Sequence, residues 1–168
     1  MYRLLRGASH AWGRALHRHR EGSLDLVLRF DEWWMRIVRA PDRHPGWPLM
    51  QGALLDMRQA AADMQARLAV VIFPTKEEAY WDFARRYRAA LEGVDIDGLP
   101  RLLAGFLADH GIFGCDLTAE IRGLVRHGRQ LYHTVSGHFN EEGNRVAAAA
   151  IARCLATGPL SMLRGASQ

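Results

Sequence analysis

An uninterrupted apolar run near the middle of the chain limits the possible folds more than any other feature. The run is Leu68-Ala69-Val70-Val71-Ile72-Phe73, and no polar residue interrupts it. Such a run indicates a strand that is buried on both faces, as in a parallel sheet covered by helices. Pro74 ends the run, and Thr75 with Glu78 forms the capping-box pattern that begins a helix. The sequence therefore predicts an α/β domain.

The elements that follow repeat the order of strand and helix. Apolar residues at helical spacing predict a helix over residues 98–109, and residues 111–117 are typical of a second short buried strand. Thr118 is expected to cap the next helix, and Asn140 the last one. This alternation predicts a parallel sheet with covering helices.

The number of strands is smaller than such a sheet requires. A mean sheet holds roughly 5–6 strands, whereas the sequence offers two convincing parallel ones. A strand as apolar as residues 68–73 needs strand neighbours on both edges. We therefore expect a single domain over residues 1–157 that lacks strands on its N-terminal side, followed by a frayed tail over residues 158–168.

The first third of the chain has three recognisable patterns. Residues 2–19 predict a basic amphipathic helix that packs on its own domain. Residues 24–30 alternate and favour an edge strand or a hairpin arm, and the proline-rich residues 40–48 favour a loop. A helix is then predicted whose apolar stripe, methionines included, belongs to the core: Leu49, Ala53, Leu54, Met57, Ala61, Met64 and Leu68.

Composition narrows the classes of function. The 168 residues are 49% hydrophobic and 24% charged, which excludes a disordered chain. There is no apolar run of 18 residues, no signal-peptide pattern and no phosphate-binding glycine loop, so we expect no membrane span and no nucleotide cofactor. A net charge of +4 does not argue for a nucleic-acid partner. Cys115 and Cys154 are expected to be two buried thiols, and Lys76 is the sole lysine.

His138 is the residue that best fits a chemical role. It lies in a loop that contains Gly137, after the last strand and directly before a capped helix. Ligands of open α/β sheets bind beyond the carboxyl ends of the strands, where a loop histidine can act as a general base. The alternative is an ordinary exposed histidine, one of eight in the chain.

Two other interpretations use nearby residues. A metal site could combine His133 and His138 with Asp116 or Cys115, although no compact ligand spacing is present. Four tryptophans could form a platform for carbohydrate, although burial at the edge of the domain is the commoner outcome for such residues. They are Trp33, Trp34, Trp47 and Trp81.

Three segments, in order, resemble blocks of the SGNH/GDSL hydrolase family, and most closely the bacterial proteins related to the alginate O-acetylation enzymes. The first, residues 70–81, is similar to a strand followed by Pro-x-Lys-Glu-x-x-Tyr. The second is Gly111-Ile112 with Cys115-Asp116-Leu117-Thr118. The third is Gly137-His138-Phe139-Asn140-Glu141-Glu142-Gly143-Asn144-Arg145-Val146-Ala147, which resembles the family's last block. Together they cover about residues 50–157.

The resemblance implies a three-layer α/β/α fold and a serine ester hydrolase or O-acyltransferase that acts on acylated carbohydrate in the periplasm or at a membrane. His138 would be the general base, and Ser136 occupies the position of the acid that orients it in the family. Asp116 could supply that acid from a neighbouring strand end.

The nucleophile block Gly-Asp-Ser of the family is absent from this chain. Its serines lie in other contexts, at positions 9, 23, 136, 161 and 167. We therefore expect a chain that matches the C-terminal part of the family, that begins after the nucleophile strand and that is inactive by itself. The alternative is a non-catalytic α/β or helical interaction domain.

Overall fold

The computed structural model describes residues 16–87 and 91–158. The elements are β1 (Leu16–Glu21), β2 (Leu24–Arg29), α1 (Glu32–Arg39), a 3-10 turn (Pro41–Arg43), α2 (Gly46–Asp63), β3 (Ala69–Ile72), α3 (Lys76–Ala79), α4 (Trp81–Ala84), a 3-10 turn (Arg85–Tyr87), α5 (Gly98–Asp109), β4 (Phe113–Asp116), α6 (Thr118–Arg126) and α7 (Glu141–Thr157). The chain is therefore a mixed α/β protein, as its pattern of elements predicts.

β1 and β2 form an antiparallel hairpin, which confirms the strand predicted from residue 24. The turn uses Gly22, whose φ of +56° favours glycine. The helix predicted over residues 2–19 is wrong at residues 16–19, which belong to β1, while residues 2–15 lie outside the described residues. The reason is tertiary. The leucines of β2 are buried on one face, which fixes the register of β2, and residues 16–21 pair with it across a short turn.

β3 and β4 pair in parallel, with Ala69 opposite Phe113 and Ile72 opposite Asp116. α5 lies between them in the chain and packs on β4, so the predicted strand–helix–strand unit is confirmed. Within the described ranges each strand has one neighbour, and residues 69–71 are only half buried. The prediction of a strand buried on both faces is therefore wrong for three of the four positions of β3.

Two apolar clusters hold these elements together. The larger joins the inner face of the hairpin to α1, α3, α4, α6 and the segment around Tyr132. The smaller lies between α2, α5 and β3, around Leu54, Ile72 and Leu107. The predicted core stripe of α2 is only partly right, since Leu54 is buried while Leu49, Met57 and Met64 are 76%, 48% and 73% exposed.

Cys115 and Cys154 form a disulfide, so the prediction of two separate buried thiols is wrong. The bond joins β4 to the C-terminal half of α7, across 39 residues of chain. Each cysteine lies in an apolar segment, and only the packing of α7 against β4 brings the two sulfurs together. The bond also removes Cys115 from any set of metal ligands, because thiolate is the metal-binding form of cysteine.

Candidate functional site

The loop of residues 133–138 lies at the carboxyl edge of the parallel strand pair. A bridge between Tyr132 and Phe139 closes the loop, and His133 N donates to His138 O over 3.1 Å. The ring of Phe139 lies 5.8 Å from that of Phe73, the first residue after β3. The structure therefore places His138 beyond the end of β3, where the sequence predicts a ligand site.

His138 is exposed, and Ser136 is the group beside its ring. The Oγ of Ser136 lies 2.6 Å from Nδ1 of His138 and accepts a hydrogen bond from the His138 main-chain N–H at 3.2 Å. When Nδ1 carries the proton and donates it to this oxygen, the lone pair of the ring is on Nε2. A serine hydroxyl thus occupies the place where the sequence predicts an orienting group.

Asp116, the alternative orienting acid, is bound elsewhere. Its Oδ1 accepts a hydrogen bond from Thr118 N at 2.8 Å, in the first turn of α6. The sequence predicts Thr118 as the cap of α6, but Thr118 is the first residue of the helix and Leu117 occupies the cap position without a side-chain capping bond. The carboxylate of Asp116 therefore serves the start of the helix, and Ser136 is the side chain held against His138.

The start of α7 fixes the other side of the loop. Asn140 caps α7 by accepting from Gly143 N at 2.8 Å, as predicted, and its own side chain donates to Gln130 O at 2.6 Å. A Cβ on Gly143 would lie 2.0 Å from the carbonyl oxygen of Leu131, so only glycine fits there. The helix that follows His138 is consequently locked to the segment that precedes the loop.

Lys76 holds the loop from inside the protein. It is 1% exposed, and its Nζ donates to the carbonyl oxygens of His133, Thr134 and Ser136 at 3.4, 3.2 and 2.9 Å. Burial lowers the pKa of Lys76, and the neighbouring Glu77 carboxylate opposes that shift. The sequence singles out Lys76 as the sole lysine but does not predict this role.

The free edge of β2 also binds this region. Its N–H groups at positions 25, 27 and 29 donate to Gln130 Oε1, Thr134 O and Glu77 Oε1, at 2.9, 2.7 and 2.8 Å. Alternate N–H groups of a strand point to the same side, so these three bonds use one edge of the hairpin. The loop region and the segment after β3 are therefore bound along the edge of β2 that does not pair with β1.

Two buried phenols complete the support. Tyr80 is 0% exposed, and its hydroxyl donates to Arg129 O and accepts from Leu131 N at 2.9 Å, while Tyr132 donates to Pro74 O at 2.6 Å. Burial raises the pKa of Tyr80 to about 12 and raises the pKa of Tyr132 as well. The sequence includes Tyr80 in the family-like segment of residues 70–81 but predicts no hydrogen bond for either phenol, because their partners are main-chain groups 49 to 58 positions away.

Other predicted or possible sites lie apart from this loop. The rings of Trp34 and Trp81 are buried with centroids 6.2 Å apart, and the ring of Trp47 packs on Phe106 at 5.8 Å, so these three belong to the core instead of a platform. The side chain of Trp33 lies outside the part of the chain that the structure describes. Among the residues that the structure describes, no three His, Cys, Asp or Glu side chains could together hold a metal ion. A cavity of about 630 Å³ lies at the opposite, N-terminal ends of β3 and β4, lined by Arg58, Arg67, Leu68 and Ile112 among others.

Comparison of the chain with protein-family models, with curated proteins and with solved structures finds no match. Over the described ranges, no helix combines the length and the apolar character needed to cross a membrane.

Proposed function

We propose that this chain supplies the general-base histidine of a serine-dependent acyl-transfer site, in an α/β fold of the SGNH hydrolase type. The observation that carries the proposal is the Ser136–His138 pair. It lies in a closed loop beyond the end of β3, with Nδ1 of His138 occupied by a side-chain oxygen. In this arrangement Nε2 is left to take a proton from a nucleophile or a substrate.

The proposed chemistry is acyl transfer from an ester. A serine oxygen attacks the carbonyl carbon, and its proton passes to Nε2 of His138 as the new carbon–oxygen bond forms. The alcohol oxygen of the ester then leaves and takes the proton from His138, which regenerates the neutral ring. Water or an acceptor hydroxyl, deprotonated by the same Nε2, then takes the acyl group, and His138 returns that proton to the serine oxygen. In the proposal, the attacking serine and the donors that stabilise the oxyanion come from a polypeptide segment other than these 168 residues.

The hydroxyl at position 136 weakens this site relative to one with a carboxylate. A serine oxygen can accept the Nδ1 proton and fix the ring, but it brings no negative charge to stabilise the imidazolium. In serine proteases, neutralising the corresponding acid lowers turnover on the order of 10⁴-fold. We therefore propose that Ser136 orients His138 more weakly than a carboxylate would. We also propose that the chain by itself has no esterase activity, because the Gly-Asp-Ser block is absent from its sequence.

The disulfide bears on where this chemistry would take place. A structural disulfide persists in oxidising environments, such as the bacterial periplasm or the cell surface. The Cys115–Cys154 bond therefore supports a location outside the reducing cytosol. Acylated carbohydrates of the cell envelope are then the proposed class of substrate.

A fluorophosphonate probe on the purified chain tests the first part of the proposal, since it reacts with activated serines. We expect no labelled serine, whereas clean labelling of any serine would show that the chain carries its own nucleophile. The genomic DNA upstream of the Met1 codon should encode a Gly-Asp-Ser block in the same reading frame. In the protein that carries this block, H138A should abolish ester hydrolysis, and unchanged hydrolysis would exclude His138 as the base.

A second candidate function is binding to another protein, and the exposed face of α2 favours it. Leu49 and Met57 lie two helical turns apart on this face, and Met64 follows at the end of the helix. Exposed apolar side chains that line one helix face are typical of interaction surfaces. L49E should reduce association with a partner protein if binding is the function, while ester hydrolysis by the protein that carries the Gly-Asp-Ser block should be unaffected.

A further inference from the structure

Lys76 has the geometry of a residue that shapes a loop. An ammonium group has three N–H donors, and the three acceptors of Lys76 are all main-chain carbonyls of residues 133–136. For three carbonyls of four consecutive residues to meet one nitrogen, the chain must curve around it. The curvature of the loop is thus tied to the position of a single charged atom.

The choice of lysine at this position is informative in this chain. Arginine occupies 21 of the 22 basic positions, and the remaining one is Lys76. A guanidinium presents its donors in a flat fork, which suits carboxylates and phosphates but cannot direct three donors from one point. The compact ammonium is the group that fits three converging carbonyls.

Ser136 connects Lys76 to His138, because it contacts both residues. The shortest of the three bonds, at 2.9 Å, is to the carbonyl of Ser136, whose side-chain oxygen lies 2.6 Å from Nδ1 of His138. Val135, Gly137 and His138 are exposed, so neighbouring side chains do little to fix this part of the loop from outside. The restraint comes from the buried side of the backbone.

We propose that Lys76 is a positioning residue for His138: its three bonds to the loop place Ser136 so that one nitrogen of the His138 ring is held and the other is presented. This inference rests on the proposed function for its meaning, but its structural part can be tested without any substrate. A lysine that only stabilised the core would affect unfolding and leave the imidazole of His138 unchanged in the folded protein.

The test is a nitrogen-detected NMR measurement on the 168-residue chain labelled in histidine, which reports the tautomer and the mobility of each ring. In the unaltered protein we expect one tautomer of His138, protonated at Nδ1. In K76M, we expect averaged ring nitrogens for His138, while a proton spectrum of the same sample should retain the methyl shifts of the core residues. E77Q is the matched control, because it changes the neighbouring buried charge while its amide oxygen can still accept from Arg29 N.

Chemical rescue separates positioning from folding. In a K76C variant, aminoethylation of the new thiol in denaturant without reductant, followed by refolding, restores an ammonium of nearly the original length while Cys115 and Cys154 stay bonded. This protein should recover the single tautomer of His138. K76R provides a second folded variant if K76M does not fold, and it should recover the tautomer only in part because its fork cannot serve all three carbonyls.

The outcomes are distinct. An unchanged His138 signature in K76M, or in K76R if K76M is unfolded, would overturn the positioning role. Failure of the aminoethylated protein to recover the tautomer would also overturn it. Retained ester hydrolysis in H138A, measured in the protein with the Gly-Asp-Ser block, would instead refute the proposed function and leave the NMR result on the loop standing.

Discussion

The disulfide between Cys115 and Cys154 should supply a large part of the stability of this chain. The two residues are separated by 39 positions, and the closed loop contains α6, the His138 loop and most of α7. A crosslink of this span removes conformational entropy from the unfolded chain worth about 4 kcal/mol at 25 °C in the chain-entropy model. The whole free energy of unfolding of a domain is about 5–15 kcal/mol.

The perturbation is the double substitution C115A/C154A. We expect the free energy of unfolding to fall by about 4 kcal/mol, and the melting temperature to fall by roughly 8–16 °C for a chain of this length. Urea denaturation followed by tryptophan fluorescence measures the change, because Trp34 and Trp81 are buried in the larger core cluster. Reduction of the unaltered protein should reproduce the loss.

The double variant also serves as a control for effects of the reductant other than disulfide cleavage. Because the variant has no cysteine, the reductant should not change the unfolding curve of the variant. Alkylation of the non-reduced protein in denaturant should detect no free thiol. Two thiols in that measurement, or a loss below about 1 kcal/mol in the variant, would refute the reasoning, since the chain-entropy model assigns the loop several times that value.

Three further predictions concern the support of the site. Y80F should lower the free energy of unfolding by about 1–3 kcal/mol in urea, because it leaves the buried N–H of Leu131 without an acceptor; a change below that range would mean that the hydroxyl is replaceable. Because burial raises the pKa of Tyr80 to about 12, above the value of about 10 in an unfolded chain, this contribution to stability should be complete below pH 10 and decline as the pH rises from 10 to 12. Absorbance at 295 nm should then show that the buried phenols ionise only as the protein unfolds. Ionisation of every tyrosine near pH 10 in the folded protein would contradict this. G143A should cost about 2 kcal/mol or more, because its Cβ meets the carbonyl of Leu131, whereas G105A, which has open space and lies within α5, should not destabilise.

Local patterns in the sequence were sufficient for the elements that surround the candidate site. The strand predicted within the apolar run of residues 68–73, the Thr75–Glu78 capping box and the Asn140 cap depend on neighbours within a few residues. All three are confirmed, the strand over Ala69–Ile72. The order of strand and helix also predicts the parallel pairing of β3 with β4. Such features follow from backbone geometry and side-chain spacing, which do not require knowledge of the rest of the chain.

Contacts between distant segments could not be predicted from those local patterns. The amphipathic spacing of residues 16–19 fits a helix as well as a strand, and pairing with β2 decided the matter. The exposed side of α2 has the same apolar spacing as a buried one, so only the packed structure distinguishes Leu54 from Leu49. Cys115 and Cys154 give no local sign that they are partners.

The candidate site divides in the same way. His138 and Ser136 are two residues apart, so the sequence by itself determined that they could meet, and it also determined that a hydroxyl stands where a carboxylate would orient the ring more strongly. Only the tertiary structure decided that Lys76, 60 positions before Ser136, holds the loop. The physical reason is that a buried ammonium needs acceptors, and those that satisfy it are main-chain carbonyls, which every residue carries and no sequence pattern marks.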